Sequence, residues 1–188
     1  DPAEIPDDWP ASVVTMGVFD GVHLGHRELM RVTREIAQQH GLLSVVLTMW
    51  PNPAEVIKRG VPPTRLTTLE YRTELIESLG VDALAVLPFD EEVAHLSPEQ
   101  FVSQVLSDSL HAAHVVVGAN FRFGRKALGD TNELARLGER FGFEVTVIDL
   151  VDSNDRNREI PTSSTFIRSL IEEGDVTEAA KYLVRPHR

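Results

Sequence analysis

The chain has 188 residues and a formal net charge of −11 at pH 7, with 42% hydrophobic and 25% charged residues. This balance is typical of a globular protein and excludes extended disorder and fibrous structure. The acidic charge argues against a nucleic-acid partner, and the absence of cysteine excludes disulfides, thiolate metal sites and thiol nucleophiles. With no apolar run of about 20 residues and no visible signal peptide, we expect a soluble, cytoplasmic protein with no membrane partner.

Short apolar runs alternate with amphipathic segments along the chain. The apolar runs predict five buried strands, over residues 12–16, 42–49, 83–87, 115–117 and 143–150. Caps and glycines predict helices over residues 25–40, from a capping box at 67–70 to residue 79, from residue 97, over 130–141, and, in the tail, over 162–173 and 175–183. Residues 50–63 contain four prolines and are predicted to form a loop, as is the polar stretch 152–159, which we expect to be mobile.

Strands that alternate with helices predict an α/β protein with a parallel sheet covered on both faces. We expect one domain over residues 1–188. Ligands of such sheets bind beyond the carboxyl ends of the strands, so the segments that follow the strands are the candidates for function.

A glycine-rich turn, GVFDGVHLGH over residues 17–26, joins the first strand to the first helix. A helix N-terminus offers unpaired N–H groups and the positive end of the helix dipole. Both imidazoles of His23 and His26 can point at one anion there, and Gly25 lets the backbone approach it. The turn is neither a P-loop nor the dinucleotide GxGxxG motif. It predicts an anion-binding site; two surface histidines, or a zinc site, are the alternatives.

A second candidate for phosphate binding is SSTFIR, at residues 163–168. Its hydroxyls and N–H groups start a predicted helix and can hold phosphate oxygens. Arg168 adds a permanently charged, fork-shaped donor at helical spacing. The alternative is a plain helix cap followed by a surface arginine.

A third segment, GANFRFGRK over residues 118–126, follows the fourth strand and therefore lies at the same edge of the sheet. Asn120 can hydrogen-bond an amide, a hydroxyl or a phosphate, and Phe123 can face an aromatic ring. Arg122 belongs to the densest basic cluster of this acidic chain. A solvated basic turn with one core phenylalanine is the alternative.

The first segment resembles the H-x-G-H signature of the nucleotidylyltransferase superfamily, and SSTFIR resembles its S-S-T-x-x-R signature. Together with VVVGANFRFG and LTTLEYRTELIESLGVDALAVLPF, the chain resembles the FMN adenylyltransferase module of the bacterial bifunctional riboflavin kinase/FAD synthetase, from residue 13 to residue 188. H-x-G-H alone identifies only the superfamily, whereas four segments in this order are much more specific. The resemblance implies a Rossmann-like nucleotidylyltransferase fold with about five parallel strands and helices on both faces.

The resemblance also implies a reaction, in which the phosphate of FMN attacks the α-phosphorus of ATP directly and gives FAD and pyrophosphate, with Mg²⁺ accompanying ATP. A covalently linked riboflavin kinase module is the implied partner. The catalytic residues would be His23, His26, Asn120, Ser164 and Arg168. ATP would be bound by Gly17, Val18, Phe19, Asp20, Gly21, His23, Gly25, His26, Ser163, Ser164, Thr165 and Arg168. FMN would be bound by Trp50, Pro51, Asn52, Pro53, Asn120, Arg122 and Phe123.

One loop departs from the family pattern. Members commonly read Thr-Phe-Asp-Pro-His-Pro after the second strand, where this chain has TMWPNP over residues 48–53. Trp50 and Asn52 therefore stand where the pattern has Asp and His, in a loop that the family uses for part of its flavin site. Two alternative functions follow: a related nucleotidylyltransferase with another phosphate acceptor, and a non-catalytic nucleotide- or flavin-binding module.

Overall fold

The computed structural model describes residues 1–6, 8–57, 60–149 and 163–188. Its strands are β1 (Ser12–Gly17), β2 (Leu43–Trp50), β3 (Ala83–Pro88), β4 (Ala112–Gly118) and β5 (Glu144–Ile148). In these ranges the strands form one parallel sheet in the order β3-β2-β1-β4-β5. The predicted α/β architecture and all five predicted strands are confirmed, with small shifts at their ends.

The strand β1 lies at the centre of the sheet. Its residue Val14 pairs with Val45 of β2 on one side and with Val115 of β4 on the other. From β1 the chain moves through β2 to β3, and only then crosses to β4 on the opposite side. The strand order therefore reverses beside β1, and the carboxyl end of β1 is where a parallel sheet opens a crevice for ligands.

Helices separate the strands. The described helices are α1 (Leu24–His40), α2 (Pro53–Ile57), α3 (Leu69–Glu77), α4 (Glu91–His95), α5 (Pro98–Phe101), α6 (Thr131–Phe141), α7 (Ser164–Glu172) and α8 (Val176–Leu183). The helix α5 continues as a π-helix over Val102–Ser109. The predicted caps at Ser97 and Asp130 accept hydrogen bonds from backbone N–H groups, as expected.

Two apolar clusters cover the two faces of the sheet. Val13 packs on one face with residues of α1 and α3, and its neighbour Val14 packs on the other with residues of the π-helix and α6. This alternation follows from the two-residue period of a strand. A third cluster joins α7 and α8 to Leu66, just before α3. The tail helices are thereby fixed beside the carboxyl edge of the sheet.

Three details differ from the sequence-based expectations. The predicted loop 50–63 contains the short helix α2, which begins at Pro53 because Asn52 Oδ1 accepts the N–H of Ala54 at 3.0 Å. The helix α3 begins one residue later than the capping box predicted, with Thr68 as its N-cap. Thr67 is instead buried and bonded to another element. The helix α4 was not predicted.

Two expectations concern regions or properties outside this architecture. The predicted mobile loop over residues 152–159 lies outside the described residues. None of the helices in the described ranges combines the length and the apolar run that a membrane crossing requires.

The covering helix α6 allows a direct test of the packing. Leu137 of α6 is fully buried, whereas Leu128 is 65% exposed. We expect Leu137→Ala to lower the free energy of unfolding by about 2–5 kcal/mol, because it leaves a cavity between α6 and the sheet. Leu128→Ala, the matched control, should change it by less than about 0.5 kcal/mol. Urea unfolding of both variants makes the comparison, and equal effects would contradict this packing.

Candidate active site

The turn that follows β1 has an unusual backbone. Phe19 and Val22 adopt left-handed φ angles of 52° and 43°, and Gly21 has a φ of 85°. A Cβ atom on Gly21 would lie 2.9 Å from a methyl carbon of Leu66, so position 21 requires glycine for both reasons. The N–H of Val22 donates to the carbonyl of Phe19 at 3.1 Å and closes the turn. The turn brings His23 to the N-terminus of α1.

The carboxylate of Asp20 connects this turn to two other elements. Asp20 is 2% exposed and accepts the N–H groups of Leu66 and Thr67, each at 3.0 Å, and the Thr67 hydroxyl at 3.0 Å. Arg168 Nη2 donates to it at 2.6 Å, and Arg72 Nη2 lies 3.5 Å away. Burial raises the pKa of the Asp20 carboxyl, but these hydrogen bonds and charges outweigh it and hold the pKa below its ordinary value.

Arg72 is a site residue that the sequence analysis missed. It is 1% exposed, and its Nη1 donates to the carbonyl of Val18 at 2.8 Å. Burial lowers the pKa of the Arg72 guanidinium and Asp20 opposes the shift, yet an arginine stays charged at neutral pH. The available signal was periodicity, since Arg72 precedes Leu75 and Ile76 by three and four residues and so shares their buried face of α3.

The two histidines of the first motif face each other. The rings of His23 and His26 stack with centroids 3.5 Å apart, and the rings of Phe19 and His26 form a T-shaped pair with centroids 5.1 Å apart. The Nδ1 atoms of both histidines are buried and have no hydrogen-bond partner among the described residues. These two ring nitrogens therefore keep an unused hydrogen-bonding capacity within the described part of the chain.

Both imidazoles are neutral near pH 7. The pKa of His23 is lowered to about 4, mainly by burial; the charge of Asp20 opposes this shift and the charge of Arg168 adds to it. Burial also brings the pKa of His26 well below its ordinary value, with His23 and Arg72 acting in the same direction. The charge of the site therefore comes from its arginines.

The second motif reaches the same place from α7. Ser164 Oγ donates to the carbonyl of Asp20 at 2.8 Å, and Arg168 binds the Asp20 carboxylate and, through Nε, the carbonyl of Thr64 at 2.6 Å. The hydroxyl of Ser163 instead caps α7 by accepting the N–H of Phe166, as the alternative interpretation of this motif expected. The two motifs converge on Asp20 although they are more than 140 residues apart in the chain.

The remaining predicted ATP residues belong to the same place but differ in exposure. Gly25 is buried in the first turn of α1, and Thr165 is exposed at the start of α7. Gly17 and Val18, which begin the turn after β1, also line a neighbouring cavity. That these residues bind ATP stays a prediction.

The neighbouring cavity has a volume of about 410 Å³ and a mainly apolar wall that includes four phenylalanines, and we call it the aromatic cavity. The rings of Phe121 and Phe123 stack with centroids 5.6 Å apart, and Phe101 lies 6.0 Å from Phe123. Four of the predicted FMN residues contribute to the wall. They are Pro53, Asn120, Arg122 and Phe123.

A glycine determines where Phe123 lies. Phe123 and Gly129 form an antiparallel bridge, with reciprocal backbone hydrogen bonds of 3.1 and 3.0 Å. A Cβ atom on Gly129 would lie 2.5 Å from the ring of Phe123. The ring therefore rests on the backbone of residue 129, which fixes the width of the cavity on that side.

The other three predicted FMN residues do not line this cavity. The guanidinium of Arg65 lies over the indole of Trp50, with its Cζ atom 4.4 Å from the centroid of the Trp50 ring. The Cζ atom of Arg72 lies 5.5 Å from the same centroid. Asn52 caps α2, and Pro51 lies between the two. Trp50 therefore borders the arginine side of the site and not the aromatic cavity.

The described residues contain no group of three or more His, Cys, Asp or Glu side chains that could hold a metal ion. The one buried carboxylate of the site, on Asp20, already accepts hydrogen bonds from backbone, hydroxyl and guanidinium donors. Neither observation fits a metal centre built from protein ligands, and the zinc alternative for His23 and His26 has no support.

The residues around the Asp20 carboxylate, namely His23, His26, Arg72 and Arg168, form what we call the cradle. It lies at the carboxyl end of β1, beside the cavity, where parallel α/β sheets generally bind their ligands. The family model for FAD synthetase matches residues 5–165 of the chain. The chain belongs to the FAD synthetase family.

Several curated relatives carry the name bifunctional riboflavin kinase/FMN adenylyltransferase. The protein from Listeria monocytogenes is 37% identical over 185 residues, which cover 96% of this chain and 57% of the relative. The one from Bacillus subtilis is 34% identical, covering 97% and 56%, and the one from Escherichia coli K12 is 31% identical, covering 93% and 54%. The chain thus spans a little over half the length of these relatives.

A solved structure shares the fold. A crystal structure described as a macrolide-efflux protein from Streptococcus pneumoniae superposes with a TM-score of 0.86 at 28% sequence identity. The match covers 100% of this chain and 69% of that one. The similarity supports the sheet order and the helix positions described above.

The role of Asp20 gives a testable prediction. Asp20→Asn leaves the buried guanidinium of Arg72 and the partly buried guanidinium of Arg168 without a counter-charge, so we expect the free energy of unfolding at pH 7 to fall by about 3 kcal/mol. Asp82→Asn is the matched control. Like Asp20, Asp82 accepts hydrogen bonds from a backbone N–H and a hydroxyl, here both of Ser44, but it forms no ion pair with an arginine among the described residues. The control substitution should cost about 1 kcal/mol. Urea titrations measure both.

The same variant has a predicted pH dependence. Because the pKa of Asp20 is lower in the folded than in the unfolded protein, its contribution is complete above the unfolded value of about 3.9. The contribution is lost as the pH falls through the folded value. The difference in stability between the wild type and Asp20→Asn should therefore be constant from pH 7 to about 5 and shrink in stronger acid. A difference that grows on acidification would contradict the assignment.

Proposed function

We propose that this domain transfers the AMP group of ATP to FMN and so produces FAD and pyrophosphate. The observation that carries the proposal is the shared boundary of the two subsites. Gly17 and Val18 begin the turn that holds Asp20, and they also line the aromatic cavity. A triphosphate in the cradle and a flavin in the cavity would therefore meet at the carboxyl end of β1.

The reaction needs no base and no covalent intermediate. A phosphate oxygen of FMN forms a bond to the α-phosphorus of ATP, and the bond from that phosphorus to the oxygen bridging to the β-phosphorus breaks. The electron pair leaves with pyrophosphate. The attacking phosphate is already ionised near neutral pH, so no proton has to be removed from it. Positioning and charge stabilisation are then the main contributions of the protein.

The charge of the cradle suits a polyphosphate. Two guanidinium groups, on Arg72 and Arg168, face one buried carboxylate on Asp20, which leaves a net positive charge. In the proposed complex, Arg168 directs N–H groups to the triphosphate while Asp20 retains its backbone donors. The Nδ1 atoms of His23 and His26 offer two further polar contacts, and a nearby triphosphate would raise the pKa of both imidazoles.

The cavity suits the isoalloxazine ring. A flat aromatic ligand can stack on Phe121 or Phe123, and the open rim carries Asn120 and Arg122. The guanidinium of Arg122 is exposed and lies 3.7 Å from Asp130, so it can reach a phosphate at the rim. Asn120 would lie where the two substrates meet.

The metal and the second module are part of the same proposal. Mg²⁺ would enter as the magnesium complex of ATP, with phosphate oxygens and water as its ligands. For the whole protein, the names of the relatives support a linked riboflavin kinase, which would supply FMN. The cradle and the cavity described here are assigned only to the adenylyl transfer.

The direct test is to incubate the purified domain with ATP, Mg²⁺ and FMN and to measure FAD and pyrophosphate. We expect both products in equal amounts. A panel of other phosphate monoesters tests the alternative suggested by Trp50. Activity with another acceptor and none with FMN would replace the proposed substrate, and binding of both ligands without pyrophosphate would favour the non-catalytic alternative.

Arg168→Ala tests the cradle within this assay. The loss of one donor that stabilises the developing charge is expected to slow FAD formation by about 10²–10³-fold. The control is Arg136→Ala, because Arg136 is exposed on α6 and bonds only Glu133 among the contacts of the described residues. It should turn over like the wild type. Wild-type rates in a folded Arg168→Ala variant would remove the assigned role.

Gly129→Ala tests the cavity independently of the cradle. The added methyl group would displace the Phe123 ring into the space assigned to the flavin. We expect the KM for FMN to rise on the order of tenfold, the usual scale of an overpacked site, while the KM for ATP stays unchanged. Steady-state kinetics with each substrate varied in turn measures the two values. An unchanged KM for FMN would place the flavin elsewhere.

A further inference from the structure

The last residues of the described chain return to the turn after β1. The helix α8 ends at Leu183, and its C-cap residue Val184 has a left-handed φ of 58° that redirects the backbone. The side chain of Arg185 then reaches back, and its Nη2 donates to the carbonyl of Gly21 at 2.7 Å. Residues 164 positions apart in sequence are joined by this hydrogen bond.

The guanidinium of Arg185 is fixed by three acceptors. Besides Gly21, its Nε donates to the hydroxyl of Tyr71 at 3.2 Å and its Nη1 to the carbonyl of Leu183 at 2.9 Å. Its carbon lies 5.4 Å from the centroid of the Tyr71 ring. A lysine at this position could donate to one or two of these groups but could not reproduce the planar arrangement.

Two consecutive carbonyl groups of the turn therefore accept hydrogen bonds from the C-terminal part of the chain. Ser164 Oγ binds the carbonyl of Asp20, and Arg185 binds that of Gly21. On either side of this pair stand Phe19 and Val22, the two non-glycine residues of the turn that have left-handed φ angles. Such conformations persist only where the surrounding contacts determine them. The turn is held from outside, and Arg185 supplies one of the contacts.

We propose that Arg185 is a positioning residue for ATP, which acts through the carbonyl of Gly21 and makes no contact with the substrate. The bond fixes the turn that orients Asp20 and delivers His23 to the N-terminus of α1. It follows that the segment after α8 sets the affinity of the triphosphate cradle. The inference rests on the proposed function, because it assumes that the cradle binds ATP.

The test compares Arg185→Met with Arg188→Met. The guanidinium of Arg188 stacks on the same Tyr71 ring, at 5.2 Å, but forms no hydrogen bond to the turn among the described residues. We expect Arg185→Met to weaken ATP binding, measured by calorimetry, on the order of tenfold, the scale of one lost hydrogen bond to a charged group. FMN binding should stay within about twofold of the wild type. Arg188→Met should match the wild type for both ligands.

A second readout reports on the turn without any ligand. The N–H of Val22 closes the turn by bonding the carbonyl of Phe19, so its hydrogen exchange should accelerate in Arg185→Met while exchange in β1 is unchanged. If that variant does not fold, Arg185→Lys decides. The lysine keeps the charge but not the planar geometry, so this variant should bind ATP more weakly than the wild type.

Three results would overturn the inference. They are wild-type ATP affinity in Arg185→Met or Arg185→Lys, an equal loss in Arg188→Met, and a parallel loss of ATP and FMN binding with faster exchange throughout the sheet. Absence of FAD formation in the wild type would instead refute the proposed function, while the exchange of Val22 would still test the contact from Arg185.

Discussion

The ionised carboxylate of Asp20, buried at the carboxyl end of β1, is the constraint on which the site depends. It accepts hydrogen bonds from the N–H groups of Leu66 and Thr67, just before α3, and from Arg168 of α7. Its own backbone belongs to the turn with left-handed φ angles. Without this acceptor, neither Arg72 nor Arg168 could be desolvated at low cost, because a buried guanidinium needs a counter-charge. One side chain thus fixes the turn and concentrates positive charge beside it.

This arrangement explains how an acidic protein can attract a polyphosphate. The chain carries a net charge of −11, yet the cradle beside β1 is locally positive because two arginines share one carboxylate. Charges lining a cleft with low-dielectric walls act over longer distances than charges on an open surface. In the proposed complex, the neutral imidazoles of His23 and His26 would add directed hydrogen bonds without repelling each other. Affinity and orientation are thereby supplied by different residues.

The sequence predicted those features that follow from local patterns and from the topology of a parallel sheet. The five strands, the cap at Asp130 and the position of the glycine-rich turn beyond the first strand could be predicted from periodicity and spacing. The placement of His23 and Arg168 at one site was implied by the family resemblance, because no predicted strand leads directly into the segment that carries Arg168.

Features that depend on long-range hydrogen bonds could not be predicted in the same way. The burial of Arg72 needs an acceptor from another element, which the carbonyl of Val18 provides. The cap of α3 lies at Thr68 and not at Thr67, because the hydroxyl of Thr67 bonds Asp20 instead. The position of Trp50 between two guanidinium groups depends on where α2 and α3 pack. The expectation of a plain loop after β2 failed because Asn52 caps a short helix there. In each case the decisive partner lies in another part of the fold or depends on a local cap that propensity alone does not reveal.

The central claim is most directly tested by a crystal structure of the domain with a non-hydrolysable ATP analogue. The triphosphate should lie between the stacked imidazoles of His23 and His26 and the guanidinium of Arg168. Asp20 should still accept the N–H groups of Leu66 and Thr67. A nucleotide bound away from the turn, or a carboxylate of Asp20 that has left those N–H groups, would contradict the account.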